Sequence, residues 1–243
     1  MIITVSVQKG GVGKTATAAA LAQAATFMEK SVLAIDMDPQ ANLSFSLAAP
    51  EDGPGSKGLL DGIPAAELIR KSPQGMDVIP ASWDLIAVKS SPGSARRLQT
   101  ALEPIRSVYD YIIIDTPSTA GELQYNAIQA SEAVLIPLQA DSYSVKALRQ
   151  VMDAIKVFQK TNARLQTVYG CITMYDGRST IAKQMAQLIR EAEAALDVMD
   201  LGTIRAAVAI KEAAALRQSI YDYAPRSKPA ADYLRIFERI DIR

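Results

Sequence analysis

Histidine is absent from this chain of 243 residues, cysteine and tryptophan occur once each, and neither sign of charge is in excess, with 26 Lys and Arg against 26 Asp and Glu. The first absence excludes hydrolytic triads that use histidine and metal centres built on imidazole. A lone Cys171 cannot close an internal disulfide, which excludes a cross-linked secreted scaffold. No apolar run approaches the ~18 residues that a membrane span needs. The stretch Ile2–Val7 is short, lacks a basic segment before it and runs straight into Gln-Lys-Gly-Gly, so it does not read as a secretory leader. With half of its residues apolar and its charges balanced, the chain is not disordered either. The expectation is a cytoplasmic protein with one core, residues 1–243 forming a single domain.

What is present is an alternation of short β-branched runs with longer segments of helical period. Strands are expected at Ile2–Val7, Val32–Asp36, Met76–Pro80, Tyr111–Asp115, Ala133–Leu138, Leu165–Met174 and near Leu201–Ile204. Helices are expected at Thr15–Glu29, Ala95–Ser107, Ser144–Lys160, Ile181–Leu196, near Lys211–Gln218 and at Ala230–Ile240. Residues 49–64, rich in Pro, Gly, Asp and Ser, read as a surface loop. Continuous apolar strands separated by helices predict an α/β fold: a mainly parallel, twisted β-sheet flanked by helices on both faces.

Lys9-Gly10-Gly11-Val12-Gly13-Lys14-Thr15 follows the first strand and opens a helix, the setting a phosphate-binding loop requires. Glycines let backbone N–H groups turn inward around phosphate oxygens, and the helix start at Ala16 adds its positive dipole end. In this pattern Lys14 reaches the β- and γ-phosphates and the Thr15 hydroxyl ligates Mg²⁺. Two carboxylates close other strands. Asp36 and Asp38 lie two apart in Ala34-Ile-Asp-Met-Asp-Pro-Gln40, and Asp115 ends Tyr111-Ile-Ile-Ile-Asp115-Thr-Pro117. Carboxyl ends of strands are where open α/β sheets bind ligands, and an Asp after an apolar strand is the usual holder of Mg²⁺ in nucleotide hydrolases.

Gln8 stands where the general loop pattern has its first glycine, and a second lysine, Lys9, precedes Gly10. In this Lys-Gly-Gly-Val-Gly-Lys-Thr motif the chain resembles the deviant Walker A ATPases of the ParA/MinD family, closest to small Soj-like partition ATPases. The likeness extends through Met76–Leu85, Ala133–Leu138, Thr173–Ser179 and the tail around Ala224–Tyr233. It implies a P-loop fold that binds ATP and Mg²⁺ and forms a nucleotide-sandwich homodimer. Lys9 would then act on the phosphates of the second copy, as an arginine finger does, and Gly10 would lie at the seam. By the same resemblance Asp38 orients the attacking water, Asp36 supports the Mg²⁺ shell, and Thr116 and Pro117 form the second switch beside the γ-phosphate. Ser118 replaces a proline usual in that switch. The family's Pro-Arg-Asn, which contacts adenine, falls near residues 205–207, where this chain has Arg-Ala-Ala, leaving the base to groups around Arg205–Val208.

The resemblance further implies non-specific DNA binding in the ATP state, slow hydrolysis accelerated by a ParB-like or other adaptor, and association with the nucleoid. No helix-turn-helix domain is expected ahead of the first strand. Residues 203–243 hold eight basic and five acidic residues, a net of +3 against −3 for the rest. Arg178, Lys211, Arg217, Arg226 and Lys228 are the candidate DNA contacts, since phosphate neutralisation needs only a patch. Two alternatives stay open: a MinD-like membrane-positioning ATPase, and a metabolic or metal-delivery ATPase. Glu238 and Asp241 interrupt the basic residues of the last helix, which favours a packed helix without stable membrane association.

Overall fold

The computed structural model describes residues 1–242. Its strands are β1 (Ile2–Val5), β2 (Val32–Asp36), β3 (Arg70–Lys71), β4 (Asp77–Ile79), β5 (Tyr111–Asp115), β6 (Ala133–Gln139), β7 (Thr167–Tyr175) and β8 (Met199–Arg205). They form one sheet in the order β3-β4-β2-β5-β1-β6-β7-β8, parallel except for β3, which pairs antiparallel with β4. The expected α/β architecture is therefore present. The chain steps outward from β1 in both directions, through β5 on one side and β6 on the other, so the crevice at the C-terminal end of β1 lies at a topological switch point.

The helices are α1 (Lys14–Phe27), α2 (Asn42–Ser46), α3 (Gly55–Leu60), α4 (Ala65–Leu68), α5 (Arg97–Leu102), α6 (Glu122–Ala130), α7 (Ser144–Gln159), α8 (Thr180–Ala195), α9 (Ala209–Ala215), α10 (Ile220–Tyr223) and α11 (Lys228–Asp241). Both sheet faces are covered. In β5, Ile113 packs under α1 and α11, whereas Ile112 and Ile114 meet α3 to α6 on the opposite face. Alanines of α1, from Ala18 to Ala25, bring that helix close to the sheet, and α11 buries Tyr233, Ile236, Phe237 and Ile240 beside it. With its apolar stripe inside, α11 leaves no wide apolar face for a bilayer. No helix among the described residues is long and apolar enough to cross a membrane.

Several elements depart from the sequence expectation. Residues 49–64 are not all surface loop: α3 lies within them and buries Leu59 and Leu60. Its glycine and serine serve close approach, since a Cβ on Gly55 would meet the Pro80 carbonyl at 2.2 Å and Ser56 Oγ donates to the Asp36 carbonyl at 2.6 Å. The expected helix Ala95–Ser107 is broken into a 3₁₀ turn, α5 and a second 3₁₀ turn holding Pro104, which cannot donate to a helical carbonyl. The helix near Lys211–Gln218 starts and stops earlier, because Arg217 takes a left-handed backbone with φ 55°. Helix α6 and strand β3 carry too little periodic signal to read from sequence alone.

One buried carboxylate lies far from the crevice. Glu193 of α8 is 1% exposed, its oxygens have no hydrogen-bond partner, and it fills the space left by Gly170, where a Cβ would sit 1.9 Å from Oε1. Burial, then the Asp200 charge, pushes its pKa up to about 8. The folded chain holds this proton from pH ~4.5 to ~8 while the unfolded chain releases it, so stability falls as pH rises through that window. Glu193→Gln is expected to lose less melting temperature between pH 5 and pH 8 than the parent protein. Equal losses in a pH series of thermal unfolding would exclude a buried neutral Glu193.

Candidate nucleotide-binding site

The loop between β1 and α1 is shaped before any ligand arrives. Gly11 and Gly13 adopt φ of 74° and 85°, left-handed conformations that side chains resist. Neighbouring strands pin the loop's carbonyls: Thr173 Oγ1 donates to Val12 at 2.7 Å and Gln139 Nε2 to Gly11 at 3.1 Å. Val12 is fully buried and packs with the residues of β6, β7, α7 and α8, so its side chain anchors the loop. Helix α1 begins with no side-chain cap, which leaves the N–H groups of its first turn, Lys14, Thr15 and Ala16, open to an anion. Gly10 meets nothing within 4 Å of an added Cβ, so no contact inside the chain requires glycine there.

Lys14 is 7% exposed, and its Nζ donates to the Lys9 carbonyl at 3.1 Å, curling over the loop. Burial lowers its pKa, and the charges of Asp115 and Asp38 oppose that shift. Within the chain, Lys9 Nζ pairs with Asp141 and donates to Ser144 Oγ at 3.2 Å, at the start of α7.

The two strand-end carboxylates face each other across register, Asp36 opposite Asp115. Their environments divide the work between them. Asp36 accepts from Asp38 N at 3.0 Å and from both the N–H and hydroxyl of Ser44 at 2.8 Å, so its oxygens hold the segment that carries Asp38. Burial raises its pKa to about 6 despite those donors. Asp115 is fully buried and its oxygens make no close hydrogen bond; burial and then the Asp36 charge push its pKa well above the carboxylate range, which the neighbouring Thr15 hydroxyl and the Lys14 charge oppose only in part. A buried carboxylate without a close donor is costly unless a cation arrives. Among the described residues no group of three or more His, Cys, Asp or Glu stands together as a metal site. This suits Mg²⁺, which is held by one or two protein oxygens together with substrate phosphates.

Around this centre lie two cavities. One, of about 390 Å³, is lined by Asp38, Pro39, Gln40, Pro117, Ser118 and Gln124, with Trp83 and Ile86 at its mouth. It brings the two expected switch segments together. Thr116 stands apart from them: its hydroxyl is committed to the Val5 carbonyl at 2.9 Å, and it is fully buried. The other cavity, of about 480 Å³, runs from Gly13 and Ala16 past Thr173, Met174 and Ile210 to Arg205–Val208, Lys211 and Tyr233. It is an apolar slot of the size a base and ribose need. Arg205 does not offer its guanidinium to it: three N–H groups of Arg205 go to Asp232 at 2.7 to 3.0 Å, because Asp232 is buried and requires a cation.

The five candidate DNA contacts do not form one set. Arg178 follows the end of β7 and is 92% exposed, its guanidinium held flat against Asp176. Lys228 lies beside the end of the neighbouring β8, where its carbonyl receives Arg205, and Arg226 is exposed just before it. Lys211 stands on the rim of the apolar slot. Arg217 is exposed but lies along α2, stacked 5.1 Å above Phe45 and donating to the carbonyls of Phe45 and Ala49. Sequence reasoning missed Asp141, Ser144, Gln124 and Gln139. Each is an ordinary polar residue in sequence and becomes part of the site only because β6 ends, and α6 and α7 begin, beside the loop.

A phosphate loop between β1 and α1 and a buried carboxylate ending β5 define a P-loop nucleoside triphosphatase. A family profile described as AAA domain matches residues 1–167. The chain is 38% identical over 198 residues to the chromosome partitioning protein ParA of Myxococcus xanthus, covering 78% of this chain and 70% of that one. It is 33% identical over 248 residues to the sporulation initiation inhibitor protein Soj of Bacillus subtilis, covering 98% and 97%. An ATP complex of McdA from Cyanothece shares the fold, with a TM-score of 0.87 at 22% identity over 99% of this chain and 95% of that one. The chain belongs to the ParA/MinD family of deviant Walker A ATPases and is Soj-like within it.

Proposed function

We propose that this chain binds ATP with Mg²⁺, forms a nucleotide-sandwich dimer, binds DNA without sequence preference in that state, and hydrolyses ATP slowly to drive partition of a DNA or protein cargo. The observation that carries the nucleotide reading is the buried Asp115 carboxylate, faced by the Thr15 hydroxyl and Lys14 at an uncapped helix start. In this reading the glycine loop and α1 bind the triphosphate, and Thr15 and Asp115 hold Mg²⁺, whose charge neutralises the developing negative charge. Asp36 keeps the Asp38 segment in place from behind rather than reaching the ion. Asp38, in the cavity between the two switch segments, orients water and accepts its proton. The base rests in the apolar slot between Met174 and Ile210.

Lys9 supports the dimer reading by where it is held. Its contact with Asp141 is partly exposed at the mouth of the site, so it can exchange Asp141 for the phosphates of a nucleotide on a second copy. The open space over Gly10 leaves room for that approach. For DNA, the exposed set at the ends of β7 and β8 is Arg178, Arg226 and Lys228, doubled by dimerisation. A ParB-like or other adaptor would stimulate hydrolysis and release the dimer.

Light scattering should show a doubled mass with MgATP and not with MgADP, and retention on unrelated DNA fragments should follow the doubled mass. Arg178→Glu is expected to weaken DNA retention about tenfold at moderate salt and to flatten its salt dependence, with ATP affinity within about twofold of the parent. Unchanged retention would remove Arg178 from the patch. DNA binding that ignores nucleotide would sink the switching scheme.

A further inference from the structure

Arg217 has a place in the fold that the sequence reading did not give it. The segment Asp38–Ala41 is a short span between β2 and α2, so the position of Asp38 depends on how α2 is held. At the near end of α2, Asp36 receives the Ser44 N–H and hydroxyl. At the far end, the carbonyls that the helix leaves open are taken by three side chains from outside it. Arg217 donates to Phe45 at 3.2 Å and Ala49 at 3.4 Å, Gln74 donates to Ser46 at 2.8 Å, and Ser72 donates to Leu47. Gln74 also donates to the Arg217 carbonyl at 3.1 Å, and Gln23 of α1 donates to Gln74 at 2.9 Å and accepts from Ile220 N at 3.2 Å. The Arg217 guanidinium lies over the Phe45 ring as well.

Arg217 is also the residue that ends α9, the helix whose Ile210 and Lys211 roof the apolar slot. Helices α2 and α9 touch, and a crevice of about 260 Å³ opens beside their contact, lined by Ala16, Ala19 and Ala20 of α1, Asn42 of α2, and Ala213 and Ala214 of α9. The small side chains around it set the spacing of the two helices only loosely. The planar, forked Arg217 fixes it further, because it joins the Phe45 carbonyl and ring of α2 and the Ala49 carbonyl just beyond that helix to the chain that leaves α9.

We propose that Arg217 is a positioning residue which ties the base-binding helix α9 to α2, and through α2 sets the place of Asp38, so that occupancy of the base slot bears on hydrolysis. This rests on the nucleotide reading above. Arg217 touches neither phosphate nor water; it acts on Asp38 by fixing the helix that follows it.

The test uses the full chain and compares the parent protein with Arg217→Ala, Arg217→Lys, Gln74→Ala and the Arg217→Ala/Gln74→Ala pair. Arg164→Ala, which removes a surface contact with Glu103 at the opposite end of the sheet, serves as a control. MgATP affinity is read by displacement of a fluorescent ATP analogue, hydrolysis by single turnover, and folding by melting temperature without nucleotide. Arg217→Ala is expected to slow hydrolysis about tenfold, as a displaced catalytic group does, while affinity stays within about threefold. Arg217→Lys should fall between, keeping charge and one donor but losing the fork. The double variant should be no slower than Arg217→Ala, because both residues serve one cluster. Parent-like hydrolysis in Arg217→Ala overturns the proposal. So does a fall in rate and affinity in equal proportion that tracks the melting temperature. Failure of the parent protein to bind MgATP would instead refute the nucleotide reading, and is seen before any variant is measured.

Discussion

Lys14→Ala is expected to weaken MgATP binding by 100- to 1,000-fold or more while leaving the empty protein folded. The ammonium is nearly buried, and its partner in the structure is a neutral carbonyl, that of Lys9. Burial disfavours its charge, and Asp115 and Asp38 only partly offset that cost. A triphosphate replaces a neutral acceptor with several anionic ones, and a charge-assisted contact with a desolvated cation is worth about 3–5 kcal/mol, the stated range in affinity. Removing the same cation from the empty site deletes a charge that burial already opposes, so the melting temperature without nucleotide should change by no more than a few degrees. The rise in melting temperature that MgATP gives the parent protein should vanish in the variant. A variant that keeps tight binding would refute the assignment of the loop, because nothing else among its side chains can reach the β- and γ-phosphates.

Asp38→Ala is expected to separate binding from turnover: hydrolysis falls by about 100-fold or more, while MgATP affinity stays within a few-fold of the parent. Asp38 lines the cavity formed by the two switch segments, half-buried, with one oxygen accepting only the N–H of Gln40 two residues on. It is thus the carboxylate free to meet water, in contrast to Asp36, whose oxygens are occupied by switch backbone, and to Asp115, whose burial and lack of a close hydrogen bond suit a cation. Loss of Asp38 removes the acceptor for water without touching the loop, so the ATP-bound dimer should persist, seen as a doubled mass that decays far more slowly after nucleotide is mixed in. Normal turnover in the variant would assign water activation elsewhere.

How far the site was legible in sequence follows from how local each part is. The phosphate loop needs only consecutive residues and two flanking elements: Gly11 and Gly13 take the left-handed backbone their type permits, and Lys14 and Thr15 open α1 as the spacing requires. The strand-end position of Asp36 and Asp115 was equally visible, because an apolar run ending in Asp places the carboxylate at a sheet end whatever the rest of the fold does. Their different roles were not visible. Asp36 and Asp115 have similar sequence settings, and what separates them is that Ser44, eight residues beyond Asp36, folds back to donate twice to it, while Asp115 faces only the Thr15 hydroxyl and makes no close hydrogen bond. Residues 49–64 misled for a related reason. Their Gly and Ser look like a solvated loop, yet they are small so that α3 can pack against the ends of β2 and β4.

By itself the sequence determined the fold class, the loop that grips phosphate, the strand-end places of the acidic residues, and the family. These follow from hydrophobic period, backbone freedom and short spacing, all of which act over a few residues. Only the tertiary structure decided which charges are available. Arg205 and Arg217 are both basic residues in a basic tail, but the first is consumed by the buried Asp232 and the second is held on the carbonyls of Phe45 and Ala49, whereas the exposed Arg178 pairs only with Asp176, two residues before it. A charge is free or committed according to what burial elsewhere demands of it, and that demand comes from residues far away in the chain: 27 positions separate Arg205 from Asp232 and 172 separate Arg217 from Phe45. The zero net charge of the chain is the sum of such local pairings, and it constrains DNA binding far less than the placement of the cations that stay exposed.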